Sequence, residues 1–280
     1  MLMTGLFALL CLLGAAIGLT YGSVESGAAI AFATALAFGG FGWFGAGPLI
    51  MSMSGARQVD HDDAPQLYNV IEEMKIAGGL PMPKVYIIES PAPNAFATGR
   101  GPENSAVAVT TGLMSKLNRE ELQGVIAHEM SHIRHLDIRY ATLAVALVGA
   151  TALIADGFLR GFGRGRTGMS NLPLLALATL LALLAPLSAR LLQMAISRQR
   201  EFLADAGAVE LTRNPEGLAS ALEKIANDPE PLEGANRATA PLYIVNPLKS
   251  FSMKSSALFS THPPTEARIS ALRAMGANTL

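Results

Sequence analysis

The sequence predicts a membrane protein in which α-helical spans carry a water-facing α+β domain. Three observations carry that reading. First, the chain has 21 Lys+Arg and 22 Asp+Glu in 280 residues, but they are segregated. Residues 1–56 hold one charge, Glu25, and residues 140–189 hold four, Asp156, Arg160, Arg164 and Arg166. Second, each of these poor blocks is long enough for two spans at roughly 20 residues apiece. Third, the normally charged blocks between and after them mix helical periodicity with short β-rich runs. The apolar content excludes a disordered chain. A net charge of -1 with no strongly basic block excludes non-specific nucleic-acid binding. The single cysteine, Cys11, excludes an internal disulfide framework and a Cys-rich zinc site.

The first apolar run, Met1 to Tyr21, has no positive n-region, because the first Lys or Arg is Arg57. It reads as a retained span, not a cleaved signal. The second, Gly27 to Met53, is rich in Gly and Ala, with Trp43 near one end as suits an interface. The third, Tyr140 to Ala155, is short, and the fourth, Leu172 to Ala189, contains Pro173 and Pro186. This second pair reads as a transmembrane hairpin, with an amphipathic or half-inserted pair as the alternative. Four spans put both charged blocks on one side. That side is flanked by Arg57, Arg119, Arg134, Arg139, Arg190, Arg198 and Arg200, against Arg160, Arg164 and Arg166 opposite. The positive-inside rule makes it cytoplasmic. The expected organisation is an N-terminal hairpin over 1–56, a first catalytic part over 57–139, a membrane hairpin over 140–196 and a second catalytic part over 197–280.

In the first charged block, Leu67, Val70, Ile71 and Met74 repeat with a helix period. Val85 to Ile88 and Ala106 to Thr110 read as strands. Asn94 to Thr98 reads as an edge strand, since Pro91 and Pro93 at its entrance prevent central pairing. Asn118 caps a helix, with Glu121 completing a capping box. In the second block, one helix runs through Glu201 and Asp205. Another follows Pro215 with Leu218, Leu222 and Ile225 on one face, and a short helix with Ile269 and Leu272 comes near the end.

The capped helix carries His128-Glu129-Met130-Ser131-His132, an H-E-x-x-H pattern. Residues four apart share a helix face, so both imidazoles reach one Zn2+. Glu129 points elsewhere and is placed to deprotonate a water beside the metal. The competing reading is coincidence, which the mid-helix context and the apolar face (Leu122, Val125, Ile126, Ile133) disfavour. A catalytic zinc needs a third ligand and an open position. The metzincin spacing would place a histidine where Ile138 stands, so that class is excluded. His135, only three residues past His132, reads as a structural histidine facing solvent or the membrane boundary. A later helix offers Glu201 and Asp205, four apart on one face. Glu201 is the candidate third ligand, and Asp205 the candidate partner of a ligand histidine's second ring nitrogen. The alternative is an ordinary solvated helix face.

The four apolar runs, the H-E-x-x-H helix, the hairpin between it and Glu201-Phe202-Leu203-Ala204-Asp205, the segment Asn94 to Gly99 and the late Thr261-His262-Pro263-Pro264 together resemble the HtpX-type membrane zinc metalloproteases. The resemblance covers nearly the whole chain. It implies a zincin-like (gluzincin-like) α+β metalloprotease domain with one Zn2+ per chain and Glu201 as the third ligand. It also implies a multi-pass protein of the bacterial inner membrane that faces the cytoplasm and degrades misfolded or damaged membrane proteins. By the same resemblance His262 is the candidate donor to the developing oxyanion, with Arg268 supporting it or the neighbouring carboxylates. A Pro-Pro turn with a surface imidazole is the plain alternative for His262. Asn94, Ala95, Phe96, Ala97 and Thr98 would pair with substrate backbone as an added strand; the plain alternative is a surface hairpin. Implied partners are protein substrates and the lipid bilayer, with no nucleic acid. A prenyl-protein endopeptidase of the CAAX type shares the metal motif but has more spans than this chain accommodates. A metal-binding scaffold without turnover would not need Glu129 beside its ligands.

Overall fold

The computed structural model describes residues 44–143, 198–232, 235, 239–247 and 263–277, with residues 25, 29, 32, 33, 40 and 145. The chain divides into two compact units, Met1–Ala46 with Ala146–Arg190 and Gly47–Val145 with Leu191–Leu280. Nearly all described residues belong to the second. The first and fourth apolar runs lie outside the described residues, as do most of the second before residue 44 and most of the third after residue 143; Cys11 and His262 lie outside as well. Among the described residues no helix is long and apolar enough to cross a membrane.

The domain is α+β, as expected. Helix α1 (Ala46–Met53) leads into strand β1 (Ala56–Gln58) and helix α2 (Pro65–Gly78). Helix α2 starts on Pro65, whose missing N–H costs nothing at that position, and buries Leu67, Val70, Ile71 and Met74. It ends at Gly79, in the left-handed conformation with φ 61°. Strands β2 (Lys84–Ile88), β3 (Ala95–Gly99) and β4 (Ser105–Thr110) complete a four-stranded sheet of order β1-β2-β4-β3. The central pair β2/β4 is parallel, with Val85 opposite Val107; both outer pairs are antiparallel. Strand β3 is an edge, as its prolines predicted. Strand β1 was not expected: three residues with a single part-buried side chain carry no alternation to recognise.

Alternation along the strands feeds two cores. Val85, Ile87, Ala97, Val107 and Val109 pack with the main helices. Phe96 and Ala108 pack on the other face with Ile50, Met51 and Tyr243. The end of the second apolar run is therefore part of this domain's core.

The short helix α3 (Thr111–Lys116) precedes α4 (Arg119–Arg134). Both halves of the α4 capping box form: Asn118 Oδ1 accepts from Glu121 N at 2.9 Å, and Glu121 accepts from Asn118 N at 2.8 Å. Helix α4 packs against α2, α5 (Arg198–Thr212) and α6 (Pro215–Asn227); α6 in turn packs on α7 (Thr265–Ala277). At its far end α4 stops at His135, and Leu136 adopts φ 62°. A left-handed leucine costs about 1–2 kcal/mol. It reverses the chain, and residues 137–143 begin a new helical segment at Asp137.

Candidate metal centre

One helical turn on α4 brings His128 Nε2 and His132 Nε2 to 3.1 Å. The first turn of α5 brings Glu201, whose carboxylate oxygens lie 3.7 Å from His128 Nε2 and 3.5 Å from His132 Nε2. One ligand atom from each residue falls within 4.8 Å of the others. Two ligands each about 2.1 Å from one Zn2+ stand at most roughly 4.2 Å apart, and these three spacings all satisfy that limit.

Both rings have a carboxylate behind them, the arrangement that metal binding needs. His128 Nδ1 lies 2.9 Å from Asp205 Oδ1, and His132 Nδ1 lies 2.9 Å from Asp137 Oδ2. A proton on Nδ1, donated to a carboxylate, leaves the Nε2 lone pairs facing the common point. Two imidazoles and one carboxylate form a catalytic zinc donor set. The residues therefore fit the ion.

Behind the ligands sits Arg268 from α7, only 1% exposed. Its Nε and Nη2 donate to the two oxygens of Asp205 at 2.8 and 2.6 Å. Its Nη1 donates to the Ile244 carbonyl at 3.0 Å and lies 3.4 Å from Glu201 Oε2. This fork places Arg268 against the carboxylates of Asp205 and Glu201.

Electrostatics separate the groups. Burial, with Arg268 nearby, pushes His128 down to about 4, a neutral imidazole. Burial also opposes a charged His132, but the Asp137 hydrogen bond and the Glu201 and Glu129 charges hold it up to about 9. Burial likewise pushes Glu129 up to about 7 against the charge of His132. A carboxyl titrating near neutrality is matched to taking and returning a proton. Asp205 is held well below the usual carboxylate range, because Arg268 outweighs its burial.

Strand β3 passes beside Glu129, which shares the cleft with Ala97. Ala97 lines the same cleft as the ligands, together with Pro241, Leu242 and Ile244. The rest of the segment has other partners. Ala95 O accepts from Ile244 N at 3.0 Å, and Asn94 Nδ2 donates to Val245 O at 2.9 Å. Phe96 is buried edge-on against Tyr243, with ring centroids 5.0 Å apart. Thr98 Oγ1 is 2.7 Å from Thr142 Oγ1, which also accepts from Gly99 N. His135 is exposed and turned back onto the Ser131 carbonyl. Asp137 and its neighbour Arg200 were not singled out from sequence. Neither belongs to a spaced motif, and only the turn at Leu136 brings Asp137 beside His132.

A sheet with an edge strand along an H-E-x-x-H helix, and a glutamate from a later helix closing a His-His-Glu site, define a zincin-like zinc metalloprotease. Residues 61–276 match the sequence profile of peptidase family M48, and the chain belongs to that family. It is 50% identical over 254 residues to the protease HtpX homolog of Dictyoglomus turgidum, covering 90% of this chain and 83% of that one. It is 48% identical over 284 residues to the protease HtpX homolog of Streptococcus gordonii, covering 98% and 95%. Among solved structures, the crystal structure of S. mikatae Ste24p is similar at 22% identity and a TM-score of 0.48, over 86% of this chain and 56% of that chain.

Proposed function

We propose that this zinc metalloprotease is an endopeptidase of the bacterial inner membrane, with one Zn2+ per chain and its site on the cytoplasmic side. Its proposed substrates are misfolded or damaged membrane proteins. The observation that carries the peptidase chemistry is Glu129, buried in the same cleft as the converging His128, His132 and Glu201. The membrane setting rests on the charge segregation. The poorly charged block at 140–189 falls between the histidine ligands and Glu201, beginning 8 residues after His132 and ending 12 before Glu201.

When bound, zinc supplies Lewis acidity to a water and to the scissile carbonyl. Glu129 takes the water's proton and returns it to the leaving amine. Asp205 and Asp137 keep the two histidines in register, and Arg268 keeps Asp205 charged. A substrate chain lies along β3 at Ala97, where the strand edge meets Glu129. His262 is the proposed donor to the oxyanion.

The test is cleavage of an unfolded membrane protein by detergent-solubilised enzyme, with and without chelator. Glu129→Gln lowers turnover by at least about a hundredfold while zinc content stays at one per chain. Full activity in that variant would refute the role of Glu129. Chelator-resistant cleavage would refute the metal.

A further inference from the structure

We propose that Asp137 and Arg200 form a positioning pair that aims His132 and ties it to the helix bearing Glu201. The inference rests on the zinc-site reading above.

Asp137 is 5% exposed and divides its two oxygens. Oδ2 faces His132 Nδ1 at 2.9 Å; Oδ1 accepts from Arg200 Nε at 2.8 Å and also from Arg200 Nη2. One carboxylate thus joins a ligand on α4 to the residue immediately before a ligand on α5. Arg200 is held in plane by Tyr140, whose ring centroid lies 5.2 Å from the guanidinium carbon. A related arrangement stands behind the other histidine, where Asp205 faces His128 and Arg268 grips Asp205 while also lying 3.3 Å from His128 Nδ1. Each ligand imidazole therefore faces a carboxylate that is itself held by a guanidinium.

The backbone is bent to achieve this. Leu136 takes φ 62° at a position where glycine or asparagine is the relaxed choice. That strain buys the reversal that returns Asp137 to His132, and strain of this kind persists where the surroundings require it. The pair is half-buried, with the Arg200 side chain 28% and the Asp137 side chain 7% exposed, so removing the arginine outright leaves a buried carboxylate without its cation. The pair also acts through geometry. It fixes the His132 tautomer and the spacing between α4 and α5 on either side of residues 140–196.

The test measures zinc affinity of the full-length protein in detergent by competition with a chromophoric chelator. Asp137→Asn is expected to weaken binding roughly 10–100-fold. Arg200→Ala is expected to weaken it several-fold, and the double variant no more than Asp137→Asn alone, because Arg200 acts through Asp137. Arg200→Lys recovers part of the loss. Metal-free melting temperatures separate aim from support: Arg200→Lys, which keeps the charge beside Asp137 but loses the fork, melts near wild type yet binds zinc more weakly if the pair positions a ligand. Affinity that falls only in step with melting across the variants would show a brace and overturn the proposal. Wild-type affinity in Asp137→Asn, or losses that multiply in the double variant, would also overturn it. Should Asp137→Asn fail to fold, Arg200→Ala decides alone, and unchanged affinity there overturns the pair. A wild-type protein that binds no zinc sinks the metal-site reading as well, whereas binding equal in wild type and variants sinks only this inference.

Discussion

His128 and Asp205 face each other across 2.9 Å, Nδ1 to Oδ1, and each is only 1% exposed. The first lies on the helix of the metal motif and the second one turn beyond Glu201, so the contact locks α4 and α5 together at the ligands. A carboxylate so placed donates negative charge to the imidazole and raises its basicity toward a metal. Replacing it with an amide keeps the shape and loses the charge. Asp205→Asn is expected to weaken zinc binding roughly 10–100-fold in a chelator competition. An unchanged affinity would mean the contact is incidental to the metal.

Arg268 carries the opposite risk. It neutralises Asp205 and faces Glu201 from a fully buried position. Removing one member of a buried pair leaves an uncompensated charge, which costs about 3–5 kcal/mol. Arg268→Ala is expected to destabilise the protein by that amount in melting experiments on the metal-free form. The double variant Asp205→Ala with Arg268→Ala is expected to lose less than the sum of the two single variants, since the second removal relieves the first. Strict additivity would show that the two side chains do not act as a pair.

The parts of the site legible in sequence are those written as local periodicities. His128 and His132, and then Glu201 and Asp205, lie four apart, and helix geometry alone puts each pair on one face. Asn118 and Glu121 marked the helix start for the same reason, and Pro91 and Pro93 marked β3 as an edge. What was not legible depends on chain paths between elements. Asp137 reaches His132 only because Leu136 turns left-handed, and no glycine or asparagine announces that turn. Strand β1 is defined by its pairing with β2 and by nothing in its three residues. Arg268 entered through family resemblance; its burial against Asp205 is a tertiary fact. The β3 segment was recognised, but its side chains proved largely committed to the fold. Asn94 anchors Val245, Phe96 fills a core, and Thr98 holds Thr142.

The capping box gives a pH dependence whose sign is fixed. Burial would raise the Glu121 carboxyl, but Lys224, Ser220 and the Asn118 backbone hydrogen-bond its ionised form and hold it below its ordinary 4.5. The folded state therefore binds this proton less readily than the unfolded state. The stabilisation is fully present above the ordinary value and is lost as pH falls through the folded one. Glu121→Gln is expected to cost about 1–2 kcal/mol near neutrality. The melting gap between wild type and variant narrows once the pH drops below about 4.5. A gap that widens in acid would contradict the assignment.

Gly124 sets how closely α4 approaches α6. A Cβ there would stand 2.7 Å from Leu218 N and 2.8 Å from Leu218 Cα, and from the other side a Cβ on Gly217 would stand 2.8 Å from Glu120 O. These neighbours are backbone atoms, which cannot swing aside as a side chain tip does. Gly→Ala in a helix interior gains up to about 1 kcal/mol of propensity. Overpacking typically costs about 1–3 kcal/mol, and a rigid obstacle puts the cost at the upper end. Gly124→Ala is therefore expected to be destabilising overall by about 1–2 kcal/mol, read as a lower melting temperature. Because α4 also carries His128 and His132, moving it away from α6 displaces both imidazoles relative to Glu201. Zinc affinity is expected to fall with stability in this variant. A Gly124→Ala protein that melts higher than wild type would show that propensity outweighs the contact, and that the two helices have room to separate.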